Sequence, residues 1–174
     1  MHRSSLIKLL EGYRYQPEIK GQILDFIVKN PDCLERTNLS GHITSSAWLL
    51  SSDLSKALLL HHQKLDIWVQ PGGHCDGESD VLASALREAI EESGIENIKT
   101  LSNDIFDLDI HLIPEKPGEP LHYHYDIRFL LQAHDDNFRI NNESKDMIWL
   151  KNDLSNLTTT NLSILRMIDK WRSL

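Results

Sequence analysis

Gly72-Gly73-His74-Cys75-Asp76-Gly77-Glu78-Ser79-Asp80 leads into Val81-Leu82-Ala83-Ser84-Ala85-Leu86-Arg87-Glu88-Ala89-Ile90-Glu91-Glu92-Ser93-Gly94-Ile95. The paired glycines break the chain. Val81 to Ser93 has the spacing of a helix, and Gly94 suits the left-handed residue that closes one. At about 100° per residue, Glu91 falls near −60° and Glu92 near +40° from Glu88. Three carboxylates thus share about a third of the circumference, while Leu82, Ala85, Leu86 and Ala89 fill the neighbouring sector. One edge packs and the next presents negative charge. Glu88 and Glu92, four apart, repel in a bare helix. A hard divalent cation with oxygen ligands offsets that cost directly. Arg87 stands four residues before Glu91 and can hold a carboxylate by a forked hydrogen bond. Taken alone, the three glutamates also fit a solvated acidic face.

Upstream of this segment, Leu6, Leu9, Leu10 and Tyr13 predict a helix over 4–13, capped by Ser4 or Ser5. A second begins at Pro17, with Ile19, Ile23, Phe26 and Ile27 on one face, and stops at Asn30-Pro31. Residues 1–40 read as a helical N-terminal extension, a packing element or dimer face, and 41–174 as the main domain. From Gly41 the period changes. His42 to Leu50 and Lys56 to His62 predict strands joined at Ser51-Ser52-Asp53 as a hairpin. Ile67-Trp68-Val69 is a short strand ended by Pro71-Gly72-Gly73. Further strands are expected near 104–112, 122–132 and 147–150, and Asn161 caps a last helix bearing Ile164, Met167, Ile168 and Trp171. This order suits an α/β (α+β) fold, an α/β/α sandwich around a mixed sheet.

The opening segment resembles the Nudix box, G-x5-E-x7-R-E-U-x-E-E-x-G-U with U a bulky apolar residue. Gly73 matches the first glycine, Arg87-Glu88 the R-E pair, Glu91-Glu92 the E-E pair and Gly94-Ile95 the close. Two positions depart. Ser79 stands where the first glutamate is usual, flanked by Glu78 and Asp80, and could cap the helix instead. Ala89 stands where a larger apolar residue is usual. The resemblance implies a Nudix-type fold and a metal-dependent hydrolase of the pyrophosphate bond in a nucleoside diphosphate linked to another moiety. Nucleotide sugars, ADP-ribose and nucleoside triphosphates fall in that class. It implies Mg²⁺ or Mn²⁺ on Glu88, Glu91 and Glu92, with Arg87, Glu91 and Glu92 in catalysis. A Nudix-fold nucleotide-binding or regulatory module without turnover is the alternative.

Outside the box, Glu143 in Asn142-Glu143-Ser144 is a candidate general base, or else a surface carboxylate. His122, His124, Asp126 and Arg128 alternate on one strand face. With Gly73, the residues His122, His124 and Arg128 are candidate substrate contacts, Arg128 toward phosphate. Two histidines and an aspartate are also donors that a transition metal accepts. A solvent-facing strand with an ion pair is the plainer alternative. His61-His62 with Lys64 offer further cationic contacts or are simply exposed. Asp76-x-Glu78-x-Asp80 fails as a calcium loop because Val81 replaces the glycine needed next. Gly72-Gly73 lacks the lysine of a P-loop. Cys75 reads as a small loop residue.

The chain carries 18 Lys plus Arg against 26 Asp plus Glu, a net charge of −8. That disfavours a nucleic-acid polymer or an anionic membrane as partner. Seven acids (Asp76, Glu78, Asp80, Glu88, Glu91, Glu92 and Glu96) lie within 76–96 against Arg87 alone. The acidity is therefore local, and a phosphate-bearing small molecule is the expected partner once cations intervene. Cys33 and Cys75 suggest free thiols in a reducing cytoplasm. No apolar run approaches the roughly 20 residues of a membrane span, and Met1 to Ser5 leads into an amphipathic helix rather than a signal core. A homodimer through the N-terminal helices is a possible assembly.

Overall fold

A computed structural model describes residues 3–63, 66–142, 144–157 and 159–174. Its elements in chain order are α1 (Ser4–Gly12), α2 (Pro17–Lys29), β1 (Gly41–Leu50), β2 (Lys56–His62), β3 (Trp68–Val69) and β4 (Gly72–His74). They continue with α3 (Val81–Ser93), β5 (Ile98–Thr100), β6 (Asp107–Ile113), β7 (His122–Ala133), β8 (Ser144–Lys151) and α4 (Leu162–Arg172).

The eight strands form one mixed sheet. Its spine runs β3-β2-β1-β7-β5, with β4 on β1, β6 on β7 and β8 on β2. Among the described residues, only β1 and β7 pair in parallel, with His42 opposite His124, Thr44 opposite Asp126 and Ser46 opposite Arg128. All ten residues of β1 are buried, because helices cover both faces of the sheet. Ile43, Ala47 and Leu49 join a core with Leu6, Leu10, Ile23 and Ile27 of the first two helices and Val81, Ala85 and Ala89 of α3. Trp48 and Leu50 point the other way, into a second core with Ile164, Met167, Ile168 and Trp171 of α4. This is the sandwich expected from the order of elements. The two N-terminal helices pack into the same core as the sheet, and Phe26 stacks on Tyr125 of β7 at 4.0 Å.

Several local expectations are corrected. Pro71-Gly72-Gly73 does not simply end a strand, since Gly72–His74 is itself β4, antiparallel to β1 at Thr44–Ser46. A Cβ on Gly72 would lie 2.1 Å from Ser46 Cβ, so only glycine lets this backbone lie against β1. The β1–β2 turn forms, but the two strands pair only at Leu50 and Ala57. Beyond that point β4 pairs with β1 and β8 with β2. Neither Ser4 nor Ser5 caps α1; Arg3 holds that position without a side-chain cap bond. For α3 the cap is Asp80, not Ser79, and Asp80 Oδ1 accepts from Ala83 N at 3.1 Å. Strand β5 had no reading in the sequence, and β6 begins at Asp107 rather than Asp104. Asn161 caps α4 as expected, accepting from the N–H groups of Ser163 and Ile164.

Candidate functional site

Helix α3 lies against β1 and β4, and its acidic edge meets the glycine strand. The Gly72 N–H donates to Glu92 Oε2 at 2.7 Å, and Glu92 is only 8 % exposed. The glycine at position 73 leaves room for the Glu88 carboxylate. A Cβ there would stand 2.6 Å from the Glu88 carboxyl carbon. Glu88 is nearly covered, while Glu91 projects into solvent with its side chain 59 % exposed. Arg87 joins them: Nη1 donates to Glu88 Oε1 at 2.8 Å and to Glu91 Oε2 at 3.2 Å. Its Nη2 donates to the His74 carbonyl at 2.8 Å. The arginine thus spans two carboxylates and a backbone oxygen rather than forking onto one. Glu88, Glu91, Glu92, Arg87 and Gly73 are brought together in one place. Hard oxygen donors crowded on one helix edge suit Mg²⁺ or Mn²⁺.

Near the start of α3 the replacement acids are engaged elsewhere. Glu78 Oε1 accepts from Asp80 N at 2.9 Å, while Asp80 caps the helix. Ala89 is fully buried, so its small side chain is a packing feature. Cys75 is buried beside them, and burial pushes its thiol up to about 12, far from a thiolate nucleophile. Both cysteines are free.

The alternate residues of β1, β4, β6 and β7 build a polar sheet face on the side that α4 covers, opposite α3. Its centre is an ion cluster. Arg128 is 2 % exposed. Its Nε donates to Asp126 Oδ2 at 2.7 Å and its Nη1 to Ser163 Oγ at 2.7 Å. Asp107 and Asp109 complete its shell at 3.2 Å each. The guanidinium donors therefore face carboxylates and a hydroxyl of the protein, not an open phosphate pocket. Arg166 and Lys170 of α4 bind the same Asp107. Burial opposes ionisation of Asp109, but His111, Arg128 and Arg166 outweigh it and hold the carboxyl well below the usual range. Thr44 and Ser46 of β1 donate to the two oxygens of Asp126 at 3.0 and 2.7 Å.

Further along the same face, His122 and His124 meet His42, His74 and His111. Asp126 is turned to Thr44, Ser46 and Arg128, so it is not grouped with these imidazoles. The histidines that come within ligating reach of one another are His42, His74 and His124. Burial lowers the His42 imidazole, and lowers that of His74 to about 4. Sequence reasoning passed over His42, His74, Asp107, Asp109 and His111. The available signal was the alternation Asp107-x-Asp109-x-His111 and His42-x-Thr44-x-Ser46. Glu143 and Lys64 lie outside the described residues. His61 stacks on Trp68 and pairs with Asp66.

A family model described as NUDIX domain matches residues 42–166. No curated protein matches the chain. Among solved structures, the C. elegans Ap4A hydrolase binary complex superposes with a TM-score of 0.57 at 16% identity, covering 75% of this chain and 95% of that one. The E. coli dihydroneopterin triphosphate pyrophosphohydrolase gives 0.54 at 14% identity, over 76% of this chain and 96% of that one. A structure described as UDP-X diphosphatase gives 0.57 at 17% identity and covers 97% of this chain and 91% of that one. The first two leave about a quarter of the chain unmatched; the third extends over nearly all of it.

Proposed function

The chain belongs to the Nudix family of hydrolases, and from that premise we propose that it cleaves the pyrophosphate bond of a nucleoside diphosphate linked to another group, with Mg²⁺ or Mn²⁺. The observation that carries this reading is the meeting of Glu88, Glu91 and Glu92 with the Gly72-Gly73 backbone. A pyrophosphate is a polyanion and approaches such an edge only with cations between. Glu88, Glu91 and Glu92 would hold them. The ion, when bound, neutralises phosphate oxygens and acidifies a water.

The protein's own part is positioning. Gly72 fixes Glu92 by a backbone hydrogen bond, and Arg87 fixes Glu88 and Glu91 while anchoring to the His74 carbonyl. A carboxylate then takes the proton of the attacking water. Glu92 and Glu143 are the candidates. Asn141, two residues before Glu143 in sequence, donates to the carbonyls of Glu91 and Glu92 at 3.3 and 3.4 Å, which supports a role for this segment beside α3. His122, His124 and Gly73 are proposed to line the substrate side. Arg128 acts through Asp126 and the sheet face. The partner is a small phosphate-bearing molecule, and a cytoplasmic location is part of the proposal. Among the described residues, no helix is long and apolar enough to cross a membrane.

The test is hydrolysis of nucleotide sugars, ADP-ribose, dinucleoside polyphosphates and nucleoside triphosphates with Mg²⁺ or Mn²⁺, scored by released phosphate or nucleotide. Turnover abolished by EDTA and restored by the ion is expected. Binding of these compounds with no cleavage would favour the regulatory module instead.

A further inference from the structure

Four imidazoles surround the ring of His124. His42 of β1, His74 of β4, His122 of β7 and His111 of β6 have centroids 4.7, 5.2, 5.1 and 5.4 Å from it. The Nε2 atoms of His42 and His122 point inward. His42 Nε2 lies 3.1 Å and His122 Nε2 3.2 Å from His124 Nε2. One donor atom each of His42, His74 and His124 all fall within 4.8 Å of one another.

The outer nitrogens fix the tautomers. His122 Nδ1 sits 2.8 Å from the Pro120 carbonyl, and His42 Nδ1 sits 3.4 Å from that of Asn38. A carbonyl only accepts, so each Nδ1 carries the proton and each Nε2 turns a lone pair toward His124. A single proton on His124 Nε2 serves one of these lone pairs and leaves the other facing a ring nitrogen. A cation at the centre satisfies all of them. Carbonyl acceptors behind the ring are how ligating histidines are oriented. Two nitrogens bound to one tetrahedral zinc ion stand about 3.3 Å apart, close to the separations seen here.

We propose that His42, His74 and His124 bind a divalent transition-metal ion of the zinc type, a centre separate from the carboxylates of α3. The fourth position is filled by His122 Nε2 or by water. Imidazole selects such ions over Mg²⁺. The ion ties β1, β4 and β7 together. It thereby braces β4, whose Gly72 and Gly73 meet Glu92 and Glu88 and whose His74 carbonyl holds Arg87. This centre does not depend on the proposed hydrolytic activity.

The experiment is titration of chelator-treated full-length protein with Co²⁺ and Zn²⁺. With excess Mg²⁺ present to occupy the carboxylates of α3, the expected result is one ion per chain, tetrahedral cobalt absorption without a thiolate charge-transfer band, and a thermal midpoint raised by Zn²⁺. His124→Ala and His74→Asn should each weaken binding at least about 100-fold, since loss of mere supporting groups already costs 10- to 100-fold. Glu92→Gln should bind cobalt with the parent's spectrum. His74 sits on a short, partly exposed strand, so its variant serves if His124→Ala does not fold. An octahedral, weakly absorbing cobalt adduct overturns the proposal. So does binding that survives both histidine variants and disappears in Glu92→Gln.

Discussion

The backbone N–H of Gly72 donates to Glu92 Oε2 across 2.7 Å, which ties strand β4 to the acidic edge of α3. An amide oxygen can accept that bond too, though without the charge assistance of a carboxylate. Glu92→Gln should therefore keep the fold and lose a charge only. Turnover with Mg²⁺ is expected to drop by roughly 10²–10⁴-fold, with circular dichroism and thermal midpoint near those of the parent. Parent-like turnover in this variant would remove Glu92 from the mechanism.

The two glycines of β4 should respond differently to alanine. At position 73 the added methyl meets the end of a flexible side chain, the Glu88 carboxylate at 2.6 Å. Gly73→Ala should fold, with Glu88 displaced and activity reduced by an order of magnitude or more. At position 72 the methyl meets Ser46 Cβ at 2.1 Å and backbone behind it. Gly72→Ala should destabilise the protein by about 1–3 kcal/mol, the range for overpacking a close contact. Paired urea melts and activity assays separate the two outcomes.

Arg128 faces three aspartates while almost fully buried. Removing one partner of a buried charge cluster leaves the others uncompensated. Arg128→Met should cost about 3–5 kcal/mol of stability, read as a lower urea midpoint. A variant that is as stable as the parent and shows only a raised KM would instead place this arginine on the substrate.

Asp109 predicts a pH dependence. Its folded-state ionisation lies below that of the unfolded chain, because His111, Arg128 and Arg166 outweigh the effect of burial. Between the two values the unfolded chain binds the extra proton, so stability rises with pH there. The contribution is complete above the ordinary Asp value near 4 and fades as pH falls below it. Asp109→Asn should flatten the acid limb of a plot of urea midpoint against pH, below about pH 4. An unchanged limb would assign the acid sensitivity to other carboxylates.

Arg87 reaches Glu88, Glu91 and the His74 carbonyl with two nitrogens of one planar group. Lysine is a point charge without that fork. Arg87→Lys should keep the fold and lower kcat more than it raises KM, in a steady-state assay with saturating Mg²⁺.

What the sequence determined by itself was local. The period of α3 placed Glu88, Glu91 and Glu92 on one edge, because residues three and four apart on a helix are neighbours whatever surrounds them. Gly94 at φ 68° and the Asn161 cap were legible for the same reason. So was the alternation that sends Tyr125 to one face of β7 and Asp126 to the other. The tertiary structure decided what those faces meet. His42 reaches His124 only through the parallel pairing of β1 with β7, strands 82 residues apart. His74 joins them only because Gly72–His74 pairs as a strand with β1. Arg128 was expected toward a substrate phosphate, or in an ion pair on a solvent-facing strand, yet Asp107 and Asp109 on β6 and Ser163 on α4 close over it. Pairing register is a long-range property set by which edges remain open and which backbones can approach. No window of sequence around His42 or His74 contains the residues that settle what each one does, and the window around Arg128 contains only Asp126 of its partners.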